Sequence, residues 1–429
     1  MVRKTIKKLL DLPFHPEIFR VYASLGRLTG QIPVSVTLER SEIESILISS
    51  PFNLLGDHVF LLPLLESLHD TWPRASIDIA VGQKLVSLFR SVPYIRNVFP
   101  CKVVDRRGQF LWRIREMDAI VDCYKKHVSE CSYDLAIAPR WGSDLYSVTA
   151  RYLAYLSGAR RICAYSTTVD GGRSAVDRLM TSVAAGGQNE HEAVRCLRLP
   201  ERLGLVPPDS TCDDVLRRPS ATLEMTARPA DADGVIRLIN NKSESNVQDY
   251  VIISPGAGKP THLWPMENFA CVIRELHRQH GLVSLIIGGP AEKILCDSLA
   301  QVVAPVSAYS LAGKTTLAEL IAIISKARLF VGNDSGPGHL AAGLSVPVVS
   351  INPFPLSGDS RHKDSAVRCR PSGPYVTVVQ PQNPIPPCKQ ACKMRAAHCI
   401  AQISPADVLQ AAESLMTHLV NSKSDEESH

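Results

Sequence analysis

No run in this 429-residue chain approaches the ~18 apolar residues that a bilayer-crossing helix needs; 251–257 is short and 282–287 shorter still. The chain therefore reads as soluble or peripheral. It also has no long low-complexity stretch, and 45% apolar with 21% charged residues is a globular composition, so disorder is expected only at the ends. Basic residues alternate with acidic ones instead of forming tracts. With a net charge of only +5, that disfavours nucleic acid as a partner and favours anionic small molecules. The first eight residues are locally basic and lead into Leu9, Leu10, Leu12 and Phe14, but no apolar core or small-residue cleavage site follows, so no signal peptide is read. Twelve cysteines lack the density of a secreted disulfide framework. They read as buried thiols in a reducing compartment, and hence as a cytoplasmic protein.

What the sequence does have is enough core material for two domains, since one domain commonly holds ~100–200 residues. Residues 45–50 form an apolar run, then comes the turn Leu54-Leu55-Gly56-Asp57 and a helical pattern from His58 to Trp72, which Pro63 should kink or shorten. Strand candidates at 77–81, 98–99, 134–138 and 161–165 alternate with helical segments at 83–91, 113–130 and 144–157, the βα rhythm of a parallel sheet. A second alternation begins at Tyr250–Ser254 and continues through a helix at 265–280, a strand at 283–287, a helix at 316–327, a strand at 329–331, a short helix at 337–344 and a strand at 347–351. The expected organisation is an extension over 1–43, a first Rossmann-like domain over 44–206, a polar, proline-bearing linker leading into the second domain over 207–248, a second Rossmann-like domain over 249–403, a capped helix over 404–420 and a disordered tail over 421–429. Two doubly wound α/β sheets in tandem predict a cleft between them, with ligands beyond the carboxyl ends of the strands.

The strongest single motif is Gly332-Asn333-Asp334-Ser335-Gly336-Pro337-Gly338-His339, which follows a strand and opens a helix. Glycines permit the tight turn, and the unpaired N–H groups of a helix start suit a phosphate. Ser335 adds a hydroxyl donor, and Asp334 suits orienting the loop or meeting a sugar hydroxyl; the alternative is that the segment merely caps the helix. Pro255-Gly256-Ala257-Gly258-Lys259 is a glycine turn with a cation at a strand end, followed by His262 and Trp264-Pro265. Lys259 either neutralises a phosphate or is solvated. Gly313-Lys314-Thr315 imitates the end of a phosphate-binding P-loop, but Ala308 stands where the first glycine belongs and no convincing strand precedes it. A helix start with Lys314 beside it can still assist an anion. In the first domain Asp57 is either a general base or a helix N-cap. Cys388, Cys392 and Cys399, with Cys369 upstream, can supply thiolates to zinc or iron, although packed thiols suit the spacing better.

Taken in order, Leu55-Gly56-Asp57, Trp72-Pro73, Tyr133-Asp134-Leu135, Ser254-Pro255-Gly256, Trp264-Pro265, Leu311-Ala312-Gly313-Lys314-Thr315 and Asp334-Ser335-Gly336-Pro337 with His339 resemble glycosyltransferase family 9, the bacterial heptosyltransferases of lipopolysaccharide core synthesis. The resemblance spans roughly 44–420. It implies a GT-B fold, inversion at the anomeric carbon, no cofactor or metal requirement, ADP-heptose as the nucleotide-sugar donor, and a saccharide or glycolipid acceptor held by the first domain. Asp57 matches the family's proposed base, and Asp334, Ser335, Gly336 and His339 match its donor-binding motif. Where the family commonly has a lysine two residues before the Trp-Pro pair, this chain has His262, leaving Lys259 or a protonated His262 to cover the diphosphate. Two other readings stay open: a GT-B enzyme using another sugar nucleotide on a different glycan or a protein, and a non-catalytic sugar-nucleotide-binding protein. A lipid-linked acceptor would bring the basic N-terminus to the inner face of the cytoplasmic membrane.

Overall fold

The computed structural model describes residues 42–103, 112–142, 144–167, 174, 176–186, 189–205, 214–227, 229–240 and 249–426. The expected N-terminal extension and its membrane contact lie outside these residues, apart from the last two positions of the extension. By packing, the chain divides into one unit of residues 1–188 with 193–212 and a second of 189–192 with 213–429.

The first unit is built on six parallel strands: β1 Ser45–Ser50, β2 Ser76–Gly82, β3 Ile95–Cys101, β4 Leu135–Ala138, β5 Arg161–Tyr165 and β6 Ser182–Ala184, in the order β3-β2-β1-β4-β5-β6. The central strands are buried along nearly their whole length because helices cover both faces of such a sheet. Leu47, Ala80, Ala136 and Ala164 join one core with Tyr152, Leu153 and Leu156 of the helix Leu145–Leu156. Helix α1, Leu55–Thr71, runs through Pro63 without a break, so the proline does not shorten it. Leu61, Leu62, Leu64 and Leu65 around the proline are fully buried, and their burial outweighs the one lost backbone hydrogen bond.

The Tyr133-Asp134 pair turns out to fasten the sheet. The Tyr133 hydroxyl donates to buried Asp78 on β2 at 2.7 Å, and Asp78 is also paired with Arg96 at 2.6 Å. Asp134 accepts from the Ser45 hydroxyl at 2.8 Å and from the Ser45 backbone N–H at 3.1 Å, locking the start of β4 to the start of β1. Cys101 of β3 and Cys123 of the helix Trp112–Cys123 are joined as a disulfide, which a scatter of thiols does not foretell.

The second unit repeats the plan with β7 Tyr250–Ser254, β8 Val283–Ile286, β9 Ala308–Ser310, β10 Leu329–Asn333, β11 Val348–Ile351 and β12 Val376–Val379, all parallel, in the order β12-β11-β10-β7-β8-β9. Counting from each unit's first strand, the two orders are the same. The short strand β9 does precede Leu311, correcting the expectation that no strand stands there; three half-buried residues leave no periodicity to read. The helices Ala221–Thr226 and Pro229–Asn240 occupy much of 207–248. Val251, Ile253, Val331 and Val349 of the strands pack with Phe269, Val272, Ile273 and Leu276 of the helix Met266–His280 and with Val408, Ala412 and Leu415 of the C-terminal helix Pro405–Glu426. Among the described residues, no helix is long and apolar enough to cross a membrane.

Candidate functional site

In a doubly wound sheet of this order the strand sequence reverses between the first and fourth strands, and the crevice beyond their carboxyl ends is the natural ligand position. In the first unit that point lies between β1 and β4. The loop after β1 delivers Asp57 on the first turn of α1, and the loop after β4 delivers Arg140. The helix is capped by Leu54 with no side-chain bond, so Asp57 is not the N-cap. Its carboxylate instead pairs with the Arg140 guanidinium, which also holds Asp144 at 2.7 Å.

Arg140 is itself fixed, lying 5.4 Å from the ring centre of Phe52 and 5.5 Å from that of Tyr146. Next to Asp57, His58 is fully buried, its ring nitrogens 2.8 and 3.1 Å from the carbonyl oxygens of Leu54 and Ser50. Burial lowers it to about 4 despite those carbonyls, so it is a neutral brace for the loop. Arg140 escapes sequence reasoning based on acids and glycines. The available signal was its position, two residues past a strand that neighbours β1.

In the second unit the switch point lies between β7 and β10, and it gathers most of the sequence-predicted residues. Gly256 follows β7, buried, where any Cβ would strike the carboxylate of Glu292. Asn333 ends β10 and is 1% exposed. Its side-chain oxygen accepts from the Trp264 backbone N–H at 3.1 Å and its amide donates to the Pro255 carbonyl at 2.7 Å. Asn333 thus clamps the whole 255–264 loop to the end of β10, a role that reading it as a capping residue does not capture. The Trp264 indole donates to the Ile403 carbonyl at 2.9 Å, which ties the same loop to the start of the C-terminal helix.

Asp334 accepts from Asn352 at 3.1 Å and lies 3.8 Å from His339. Burial, with Asp364 nearby, raises Asp334 to about 7 against the pull of Lys259. Burial, aided by His191, takes His339 down to about 3. The pair is therefore a neutral contact over much of the acid range. Ser335 occupies the N-cap position of the helix Gly336–Gly343, with Pro337 in its first turn, yet its hydroxyl makes no capping bond and lies 3.5 Å from that of Ser254. A hydroxyl held only by this long bond, beside a run of helix N–H groups, suits an anion.

Of the candidate cations, Lys259 reaches Asp364 at 3.3 Å from a half-exposed position. His262 is lowered to about 4 by burial and by Lys259, so in this state it carries no charge at neutral pH. Gly313 has a φ of 70°, a left-handed value that favours glycine, and packs its turn against Pro290. Lys314 is exposed and donates to the Ser310 carbonyl at 2.6 Å. Thr316 caps the following helix through a reciprocal bond with Glu319. Near the chain end Cys388, Cys392 and Cys399 converge with His398, whereas Cys369 bonds the Ser365 carbonyl and stands outside the group, correcting its place in the thiolate set.

Residues 223–395 match the profile of glycosyltransferase family 9 (heptosyltransferase). The chain is 25% identical over 300 residues to lipopolysaccharide heptosyltransferase 3 of Escherichia coli strain K12, an alignment covering 69% of this chain and 79% of that one. Over these stretches the chain is similar to glycosyltransferase family 9. It is a glycosyltransferase. Its fold is GT-B: a family 9 glycosyl transferase from Veillonella parvula DSM 2008 superposes with a TM-score of 0.66 at 20% identity, over 90% of this chain and all of that one. The E. coli ADP-heptose lps heptosyltransferase II superposes with a TM-score of 0.63 at 17% identity, over 88% of this chain and 99% of that one.

Proposed function

We propose that this glycosyltransferase moves heptose from ADP-heptose onto a lipopolysaccharide core acceptor with inversion. The observation that carries the reading is geometric: two sheets of one strand order present, at their two switch points, a carboxylate held by an arginine and a set of anion-suited loops. Asp57 takes the proton of the acceptor hydroxyl, whose oxygen bonds to the anomeric carbon as the bond to the diphosphate breaks. Arg140 keeps the carboxylate in place. Charge developing on the departing ADP is met by Lys259, by the Ser335 hydroxyl and by the first N–H groups of the helix Gly336–Gly343.

His262, lowered to about 4 by burial and by Lys259, is neutral at neutral pH, which favours Lys259 over His262 as the compensating cation. Asp334 and His339 shape the loop, and Gly256 and Gly313 let backbone approach closely. Gly336 and Pro337 start the helix. The relative named lipopolysaccharide heptosyltransferase 3 supports the sugar and the acceptor, because an alignment of 300 residues is longer than either packing unit and so includes residues of both.

Calorimetry with ADP-heptose against UDP- and GDP-sugars, followed by transfer to truncated core acceptors, tests the reading. Tighter binding of a UDP- or GDP-sugar would overturn the donor assignment, and binding without transfer to any acceptor would leave a sugar-nucleotide-binding protein. Cytoplasmic placement and peripheral contact with the inner membrane are part of the same proposal. Liposome co-sedimentation that is unchanged by deleting residues 1–30 would remove that contact.

A further inference from the structure

The 381–402 segment, between β12 and the C-terminal helix, brings four ligand-type side chains to one point that the proposed transfer does not use. Cys388 and Cys392 sulfurs are 3.9 Å apart, His398 Nδ1 is 3.8 Å from Cys388 Sγ and 3.5 Å from Cys399 Sγ, and all four ligand atoms lie within 4.8 Å of one another. A disulfide between Cys388 and Cys392 would need ~2.05 Å. By contrast, zinc bound tetrahedrally at ~2.3 Å by sulfur and ~2.0 Å by nitrogen sets its ligands about 3.5–3.8 Å apart. The observed spacings are those of a tetrahedron's edges, and their centre would accept an ion after a shift of under about 1 Å in the widest pair.

The surroundings agree. Cys399 is fully buried and Cys388 nearly so, which excludes solvent from one side. Backbone N–H groups of Met394 and Cys399 point at Cys392 Sγ, and that of Ile385 points at Cys399 Sγ. Such bonds orient thiolate ligands and share out their charge. Among the described residues this is the one group of metal-ligating side chains so placed.

We infer that Cys388, Cys392, His398 and Cys399 form a structural zinc site. Three thiolates and an imidazole close the coordination shell and leave no position for substrate, so the ion serves the fold rather than the transfer. It would pin a segment of few regular elements just before Ile403, whose carbonyl receives the Trp264 indole. Through Trp264 and Asn333 the site braces the 255–264 loop.

The test is the metal content of the full-length protein, purified under reducing conditions from zinc-supplemented medium, with cobalt reconstitution of the same protein. One zinc per chain, together with the charge-transfer and tetrahedral ligand-field bands of a cobalt-thiolate centre, is expected. A Cys392→Ser/His398→Gln double variant should retain at least tenfold less zinc, while Cys271→Ser, at an exposed cysteine on the helix Met266–His280, should retain it all. Zinc-free protein lacking the cobalt bands overturns the inference, as does iron in place of zinc, or undiminished zinc in a folded double variant. If the double variant does not fold, the wild-type stoichiometry and cobalt spectrum decide alone. Neither readout depends on the donor or the acceptor, so the site can fail while the proposed transfer stands.

Discussion

The two sheets share a strand order but furnish their switch points differently. In the first unit a half-exposed carboxylate, Asp57, is gripped by Arg140, which two aromatic rings and Asp144 hold in turn. In the second, the groups at the strand ends are buried and largely neutral: Asn333 satisfies two backbone groups, and Asp334 faces an uncharged His339. The first arrangement suits a group that must exchange a proton with an incoming molecule. The second suits a rigid rim whose charge is supplied by a lysine and by helix N–H groups.

The sharpest way to break this contrast is Asp57→Asn. The amide keeps size and a contact with Arg140 but cannot take a proton, so turnover should fall by about 10²–10⁴-fold with the donor dissociation constant nearly unchanged. Steady-state kinetics beside donor calorimetry would read both; turnover within tenfold of wild type sinks the assignment. In the second unit Asn333→Ala should act on stability instead. It strands the Trp264 N–H and the Pro255 carbonyl, each buried group costing about 1–3 kcal/mol. Urea unfolding followed by tryptophan fluorescence should show the loss, and donor affinity should weaken with it.

Much of this was legible in the sequence where one local pattern reports one physical need. Apolar runs such as Tyr250–Ser254 disclose buried parallel strands, and glycines beside helix starts disclose the turns after them. What stayed hidden depends on pairs distant in the chain. Arg140 matters because β4 lies beside β1, a fact no window around residue 140 contains. Asn333 sits inside the motif, but its bonds run to residues 69 and 78 positions away. The cysteines were visible as a group, yet His398 joins them only through the fold. Short strands such as Ser182–Ala184 and Ala308–Ser310 have too few residues to show alternation.

The buried Asp334–His339 contact gives a pH signature of its own. Asp334 is raised to about 7 from 3.8, so the folded state holds a proton that the unfolded state has lost, and stability falls as pH rises from about 4 to about 7. His339 is lowered to about 3 from 6.5, so there the unfolded state holds the extra proton and stability falls as pH drops from about 6.5 to about 3. Over the shared window the two slopes oppose and nearly cancel. Asp334→Asn should therefore expose the histidine slope, with denaturation midpoints falling as pH drops below 6.5. His339→Gln should expose the opposite slope, with midpoints rising as pH falls from 7 towards 4. Equal pH profiles for wild type and both variants would remove the buried pair from the comparison.

The smallest expected effects separate the two lysines of the second unit. Lys259 shares a carboxylate, Asp364, with Lys363 at 2.9 Å, so the carboxylate remains compensated when Lys259 turns to a diphosphate. Lys259→Ala should then weaken ADP binding about tenfold, the order of one partly exposed charge-assisted contact of ~1.5 kcal/mol, with the loss shrinking as salt is added. Lys314 already donates to the Ser310 carbonyl from an exposed position, and the helix after it is capped by Thr316 and Glu319 without its help. Lys314→Ala should change ADP binding by less than about threefold, because an exposed cation with a backbone partner is worth only a few tenths of a kcal/mol to a further anion. Calorimetry of both variants at two ionic strengths ranks them. A larger, salt-sensitive loss at Lys314 would move the diphosphate's charge compensation from the turn after β7 to the turn after β9.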